Sequence, residues 1–164
     1  MLTFPVRLRK DLETIPWPEM MPVYGSYYIH GDVGVGKTVL AAQMLVEARE
    51  HFYFDSIPGR AMFISVPEFF NRLKATYNST EFNEQDILNE YSSVQFLVLD
   101  DLGAERSTDW VMSMLYLLIN RRYEDMLTTV ITSNYTLDEL TDKLGDARIP
   151  SRISRMCEVI APKR

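Results

Sequence analysis

Gly31-Asp32-Val33-Gly34-Val35-Gly36-Lys37-Thr38 fits the pattern G-x-x-x-x-G-K-[ST] at every fixed position. Wrapping phosphates in backbone N–H groups requires a chain that can approach closely and take positive φ, which is what glycine permits. Lys37 is then placed to reach the β- and γ-phosphates, and the Thr38 hydroxyl to hold Mg²⁺. The flanks agree with a nucleotide-binding loop. Ser26-Tyr27-Tyr28-Ile29-His30 reads as a strand running into Gly31, while Leu40, Met44 and Ala48, with Ala41 and Leu45 beside them, recur at helical spacing. The helix N-terminus therefore points at the phosphates, and Gly31 to Val39 form the candidate nucleotide-binding set.

With 164 residues, 46% of them hydrophobic, the chain suits one domain that buries about two-thirds of its unfolded surface. A formal net charge of -6 leaves no broad basic face, so any contact with nucleic acid must use a local patch. Cys157, the one cysteine, excludes an internal disulfide framework and a cluster of metal-binding thiols; it reads as a buried apolar residue in a reducing compartment. Pro5, Arg7, Arg9, Lys10 and Asp11 break up any secretory pattern, and no apolar run reaches the length of a membrane span. The cytoplasm is the expected location.

Residues 1–24 mix the basic cluster Arg7, Arg9 and Lys10 with prolines at 5, 16, 18 and 22, and read as an irregular arm with at most one short helix before a domain over 25–164. The cluster is expected to be solvated or to touch nucleic acid or a partner. His51 to Arg60, with Asp55, Pro58 and Gly59, reads as a turn region. Ala61–Ser65 should be a second strand, and Pro67 opens a helix whose stripe is Phe69, Phe70, Leu73 and Tyr77, with Arg72 and Lys74 elsewhere. A short helix over Glu84–Tyr91 follows.

Gln95-Phe96-Leu97-Val98-Leu99-Asp100-Asp101 is an apolar run ending in two carboxylates, as expected of a buried parallel strand that delivers acids to an active site. Asp100 is the candidate Mg²⁺ ligand and Asp101 the group that orients or deprotonates the attacking water. Ser107 reads as the N-cap of a helix carrying Val111, Leu115 and Leu118, with Arg121, Arg122 and Glu124 making its end polar. Thr128–Ser133 is a β-branched fourth strand, and Asn134 at its carboxyl end is a further candidate beside the water or γ-phosphate. Thr136 and Glu139 have capping-box spacing and Gly145 stops that helix. A helix over Ala147–Met156 would set Arg148, Arg152 and Arg155 on one face, for ordinary ion pairs or for the nucleotide of a neighbouring subunit, and Glu158–Ala161 gives a last strand.

With right-handed crossovers this order gives a parallel sheet with helices on both faces. Leu97-Val98-Leu99-Asp100-Asp101-Leu102-Gly103-Ala104-Glu105 resembles the Walker-B segment of bacterial helicase loaders of the DnaC and DnaI type and of IstB transposition ATPases, a branch of AAA+ proteins. Likeness continues through Ile64–Phe69, Asp109-Trp110, Asn120–Tyr123, Ile131–Asn134, Arg148-Ile149 and Arg152-Ile153, covering about 25–160. The resemblance implies a five-stranded AAA+ α/β domain without a separate lid domain, ATP/ADP and Mg²⁺ as cofactors, Asn134 as sensor 1, and Arg152, with Arg148 second, as an arginine finger and hence self-assembly. It further implies a replicative helicase as partner and a path for single-stranded DNA near Arg72 and Lys74.

The short segment before the first strand and the stop after the last one suggest a minimal loader that contacts its partner through the ATPase domain, an isolated domain, or an accessory to another ATPase. The expected function is a helicase loader with slow, assembly-dependent ATP hydrolysis. The alternatives are an IstB-like ATPase that delivers a transposase to DNA and a nucleotide-switched adaptor with negligible hydrolysis.

Overall fold

The computed structural model of the chain describes residues 4–14, 25–52 and 61–162. Five strands, β1 (Tyr27–His30), β2 (Ala61–Ser65), β3 (Phe96–Leu102), β4 (Thr128–Ser133) and β5 (Glu158–Ile160), form one all-parallel sheet in the order β2-β3-β4-β1-β5. The helices are α1 (Val6–Thr14), α2 (Lys37–Phe52), α3 (Val66–Ala75), α4 (Glu84–Ser93), α5 (Asp109–Glu124), α6 (Leu137–Leu144) and α7 (Arg148–Met156). Because β4 lies between β1 and β3, the phosphate-loop strand and the acidic strand have an extra strand between them, and their carboxyl ends open on the same edge.

Alternation along each strand sends side chains to two cores. Phe96, Val98, Ile29 and Val130 pack with α2 and with Phe4 and Leu8, whereas Leu97, Leu99, Tyr28 and Ile131 pack with residues of α3 to α7. Helices therefore cover both faces, as the sequence order requires for parallel strands.

Local chemistry explains most boundaries. Ser65 caps α3 by accepting from Glu68 N, with Pro67 in the first turn where its missing N–H costs little. Asn83 and Asp86 form a capping box on α4, and Thr136 and Glu139 form the expected one on α6, which Gly145 ends at φ 67°. Pro150 is tolerated because it falls in the first turn of α7.

Three expectations need correction. Thr108, not Ser107, caps α5 by accepting from Val111 N, and the Ser107 hydroxyl instead donates to the Lys143 carbonyl oxygen. Tyr77 leaves the apolar stripe of α3, because a 3-10 turn at Thr76–Asn78 swings it out to 63% exposure. Arg122 is no part of a polar helix end: it is wholly buried, since carbonyl acceptors from α4 and β4 converge on it. The amino-terminal arm carries one short helix, as the sequence allowed: α1, whose Leu8, with Phe4 just before the helix, is buried in the core cluster shared with α2. The turn read over His51–Arg60 lies, from residue 53 on, outside the described residues, as do residues 15–24 with prolines 16, 18 and 22. Cys157 is buried as expected, and burial pushes its thiol up to about 12.

Candidate functional site

The phosphate loop leaves β1 at Gly31 and enters α2 at Lys37, so the first turn of that helix faces the loop. Gly34 and Gly36 stand at φ 84° and 88°, with open space where a Cβ would lie. Backbone conformation, not crowding, is what asks for glycine at these two positions. The Lys37 Nζ donates to the carbonyl oxygens of Gly31 (2.7 Å) and Asp32 (2.8 Å), which folds the loop around its own ammonium. Burial lowers the Lys37 pKa, and the nearby Asp101, Asp100 and Asp32 oppose that shift.

A bulge in β3 sets the acidic pair. Leu99 is in register with Ile131 and Leu102 with Ser133, so three steps of β3 run against two of β4. The additional residue falls at Asp100-Asp101, and Asp101 takes φ 63°. An aspartate adopts this left-handed conformation more readily than most residues. Thr132 fixes both ends of the bulge. Its hydroxyl donates to Asp100 Oδ1 at 2.6 Å and accepts from the Asp101 N–H at 2.9 Å. The Thr38 hydroxyl donates to the same Oδ1 at 2.9 Å, joining α2 to β3. Asp100 is 8% exposed, and burial raises its pKa against the two hydroxyl hydrogen bonds that lower it.

These groups open on one cleft of about 890 Å³, bounded by Gly34, Gly36, Lys37 and Thr38 on one side and by Asp100, Asp101, Thr132 and Asn134 on another. That volume suits a drug-sized or nucleotide-sized ligand. The candidate residues of the loop, of the acidic strand and at Asn134 are thus brought together. Val39 supports the loop from the core, and Val33 is exposed at its tip. A Thr38 hydroxyl beside one buried carboxylate suits Mg²⁺, which keeps most of its waters and needs few protein ligands. The described residues contain no cluster of three or more His, Cys, Asp or Glu able to hold a metal, so an all-protein metal cage is not part of their design.

Arg148 and Arg152 lie elsewhere, on α7 where it packs against α5. The Arg152 Nε donates to Asn120 Oδ1 at 2.9 Å, and its guanidinium sits 5.3 Å from the centre of the Tyr123 ring. Arg148 pairs with Asp146 at 2.6 Å and covers Tyr116 at 5.1 Å. Neither lines the cleft of its own chain. Arg72 does line it, bound to Glu90 and to the Tyr91 hydroxyl, whereas Lys74 is exposed on α3.

Thr132 was not singled out by sequence, because inside a β-branched run its hydroxyl looks no different from that of Thr128 or Thr129. Arg7 and Asp11 of α1 also line the cleft and were read only as parts of a charged arm. Glu105 accepts from the Gly103 N–H at 3.1 Å while its Oε1 is buried without a partner, and burial raises its pKa.

The family model described as "IstB-like ATP binding protein" matches residues 6–161. The chain is 34% identical over 114 residues to the replicative helicase loader DnaI of Bacillus subtilis (strain 168), covering 69% of this chain and 34% of that protein. It is 25% identical over 122 residues to the replicative helicase loader DnaC of Escherichia coli (strain K12), covering 74% and 47%. The chain therefore spans between about a third and a half of the length of these relatives. Among solved structures, a DnaC helicase loader superposes with TM-score 0.70 at 29% identity, over 96% of this chain and 87% of that one. DnaA from Aquifex aeolicus with bound AMPPCP gives 0.70 at 20% identity, over 96% and 44%, which shows the AAA+ fold alone.

Proposed function

The chain belongs to the family of IstB-like ATP-binding proteins, and on that premise we propose that it is an ATPase acting as a replicative helicase loader whose nucleotide state controls its assembly on the helicase and on single-stranded DNA. The observation that carries the nucleotide half is the bridge from Thr38 through Asp100 to Thr132, which joins the phosphate loop, the acidic strand and the extra strand at the floor of one cleft. The partner half rests on likeness to the DnaI and DnaC loaders.

In this reading the loop N–H groups of Gly34 and Gly36 bind phosphate oxygens, and Lys37 turns from its loop carbonyls to the β- and γ-phosphates. Thr38 and Asp100 would hold Mg²⁺, which offsets the charge of the triphosphate. Asp101 and Asn134 align a water against the γ-phosphorus. As the new P–O bond forms, the bond to the β–γ bridging oxygen breaks, Asp101 takes the water's proton, and ADP and phosphate result. Arg152 serves the γ-phosphate of the neighbouring subunit, a role for which a guanidinium held outside its own cleft is suited.

The family match favours a second reading, delivery of a transposase to DNA. Pull-down of the chain with the replicative helicase of its host and with an IS21-type transposase, each with ATP and without nucleotide, separates the two. ATP-dependent capture by the helicase is expected. Capture by the transposase alone would replace the loader by the transposition ATPase.

A further inference from the structure

The cleft has a third wall that comes from the amino-terminal helix. Phe4, Leu8 and Leu12 recur every four residues, and the two leucines on α1 with Phe4 just before it form one packing face: Phe4 and Leu8 are buried, Leu12 packs beside them, and the Phe4 ring meets Phe63 of β2 edge-on at 5.4 Å. That spacing puts Arg7 and Asp11 together on the adjoining flank, three residues after Phe4 and Leu8. Both line the cleft, with Pro5 and Leu8, as do Gly34, Gly36, Lys37 and Thr38 of the phosphate loop. Arg7, Arg9 and Lys10 are all exposed, but Arg9 and Lys10 do not line the cleft. The basic cluster that looks uniform in sequence is thus divided, with one arginine at the cleft and two cations outside it.

Of the cations that line the cleft, Arg7 alone has no engagement among the described residues. Lys37 donates to two loop carbonyls, and Arg72 is tied to Glu90 and Tyr91. Among the described residues the Arg7 side chain makes no ion pair or hydrogen bond, not even with Asp11 one turn on. The cleft also carries Asp100, Asp101, Glu68 and Asp11, so a polyanion entering it needs every cation available. A guanidinium offers a planar fork of donors matched to phosphate oxygens.

We propose that α1 closes the nucleotide cleft and that Arg7 binds the polyphosphate of the nucleotide held by its own chain. This rests on the nucleotide reading above and extends it, because it gives the cleft an arginine in cis besides the one a neighbour supplies. It also makes α1 responsive to the nucleotide: polyphosphate bound between Arg7 and the loop holds the helix down on α2.

The test compares Arg7→Ala with Arg9→Ala in the full chain, with Lys37→Ala as reference. Calorimetric titration with Mg–ATP is expected to show about tenfold or weaker affinity for Arg7→Ala, the loss of one charge-assisted contact, with Arg7→Lys recovering part of it and Arg9→Ala binding like the wild type. In parallel, ATP should slow tryptic cleavage after Arg9 and Lys10 in the wild type and fail to do so in Arg7→Ala. Binding that Lys37→Ala abolishes but Arg7→Ala leaves within twofold of Arg9→Ala would overturn this inference and leave the nucleotide site standing. No ATP binding by the wild type would remove both.

Discussion

Asp100 is placed where its charge is costly to the fold and needed by the site. Burial raises its carboxyl above the ordinary range, so the folded chain takes up a proton there more readily than the unfolded one. The penalty is complete above the folded pKa and is relieved as pH falls through it. Asp100→Asn keeps an oxygen to accept from Thr38 and Thr132 and deletes the buried charge. At pH 7, without nucleotide, the variant should melt about 2–4 °C higher, the shift given by ~1 kcal/mol in a domain of this size, and the difference should shrink as the solution is acidified. Mg²⁺-dependent ATP binding should be lost in the same variant. A lower melting temperature would show that the charge helps the fold. That Gly34, Gly36, Lys37, Thr38 and Asp100 meet at one cleft was legible, because fixed spacing and residue type together mark them as a set. Thr132 was not, since its role comes from a bulge on the neighbouring strand, and no glycine in Leu97–Leu102 announces that bulge.

Between elements, the principal tie outside the apolar cores is Arg122 of α5. Its guanidinium donates to the Tyr91 and Val94 carbonyl oxygens at the end of α4, to the Thr128 carbonyl oxygen and to the Thr129 hydroxyl, all within 2.7–2.9 Å. Among the described residues no carboxylate pairs with it, and burial brings its pKa down to about 9. The acceptors at the end of α4 and the start of β4 would be orphaned in its absence. Arg122→Ala should therefore cost about 3 kcal/mol, read from urea denaturation, and Arg122→Lys should recover little because an ammonium cannot reach so many acceptors in one plane. A cost within ~0.5 kcal/mol would mean that water replaces the clamp. The sequence hid this residue: beside Arg121 and Glu124 it has the look of a solvated helix end, and only the convergence of separate elements buries it. A parallel sheet with helices on both faces and both ends of α6 were legible, since period, crossover handedness and capping chemistry are local or general rules. The one short helix allowed in the amino-terminal arm is α1, and the prolines at 16, 18 and 22 lie beyond it.

For the whole molecule, the proposed function needs residues from two chains. The cleft holds the loop, Asp100, Asp101 and Asn134, while Arg148 and Arg152 sit on α7, stacked on Tyr116 and Tyr123 of α5 and clear of that cleft. Arg152→Ala should leave Mg–ATP affinity within about twofold while removing the part of turnover that rises with protein concentration. Loss of ATP binding in that variant would place the arginine in its own chain's site. No helix among the described residues is long and apolar enough to cross a membrane. The most direct measurement is phosphate release per chain from Mg–ATP across a range of protein concentrations, for the wild type and for Asp101→Asn. Asparagine accepts the left-handed backbone that residue 101 adopts, so the bulge survives while the carboxylate is lost. The account predicts slow release that grows with concentration in the wild type and falls by at least about a hundredfold in Asp101→Asn, with ATP still bound. Release that is equal in the two proteins, or absent from the wild type at every concentration, would contradict it.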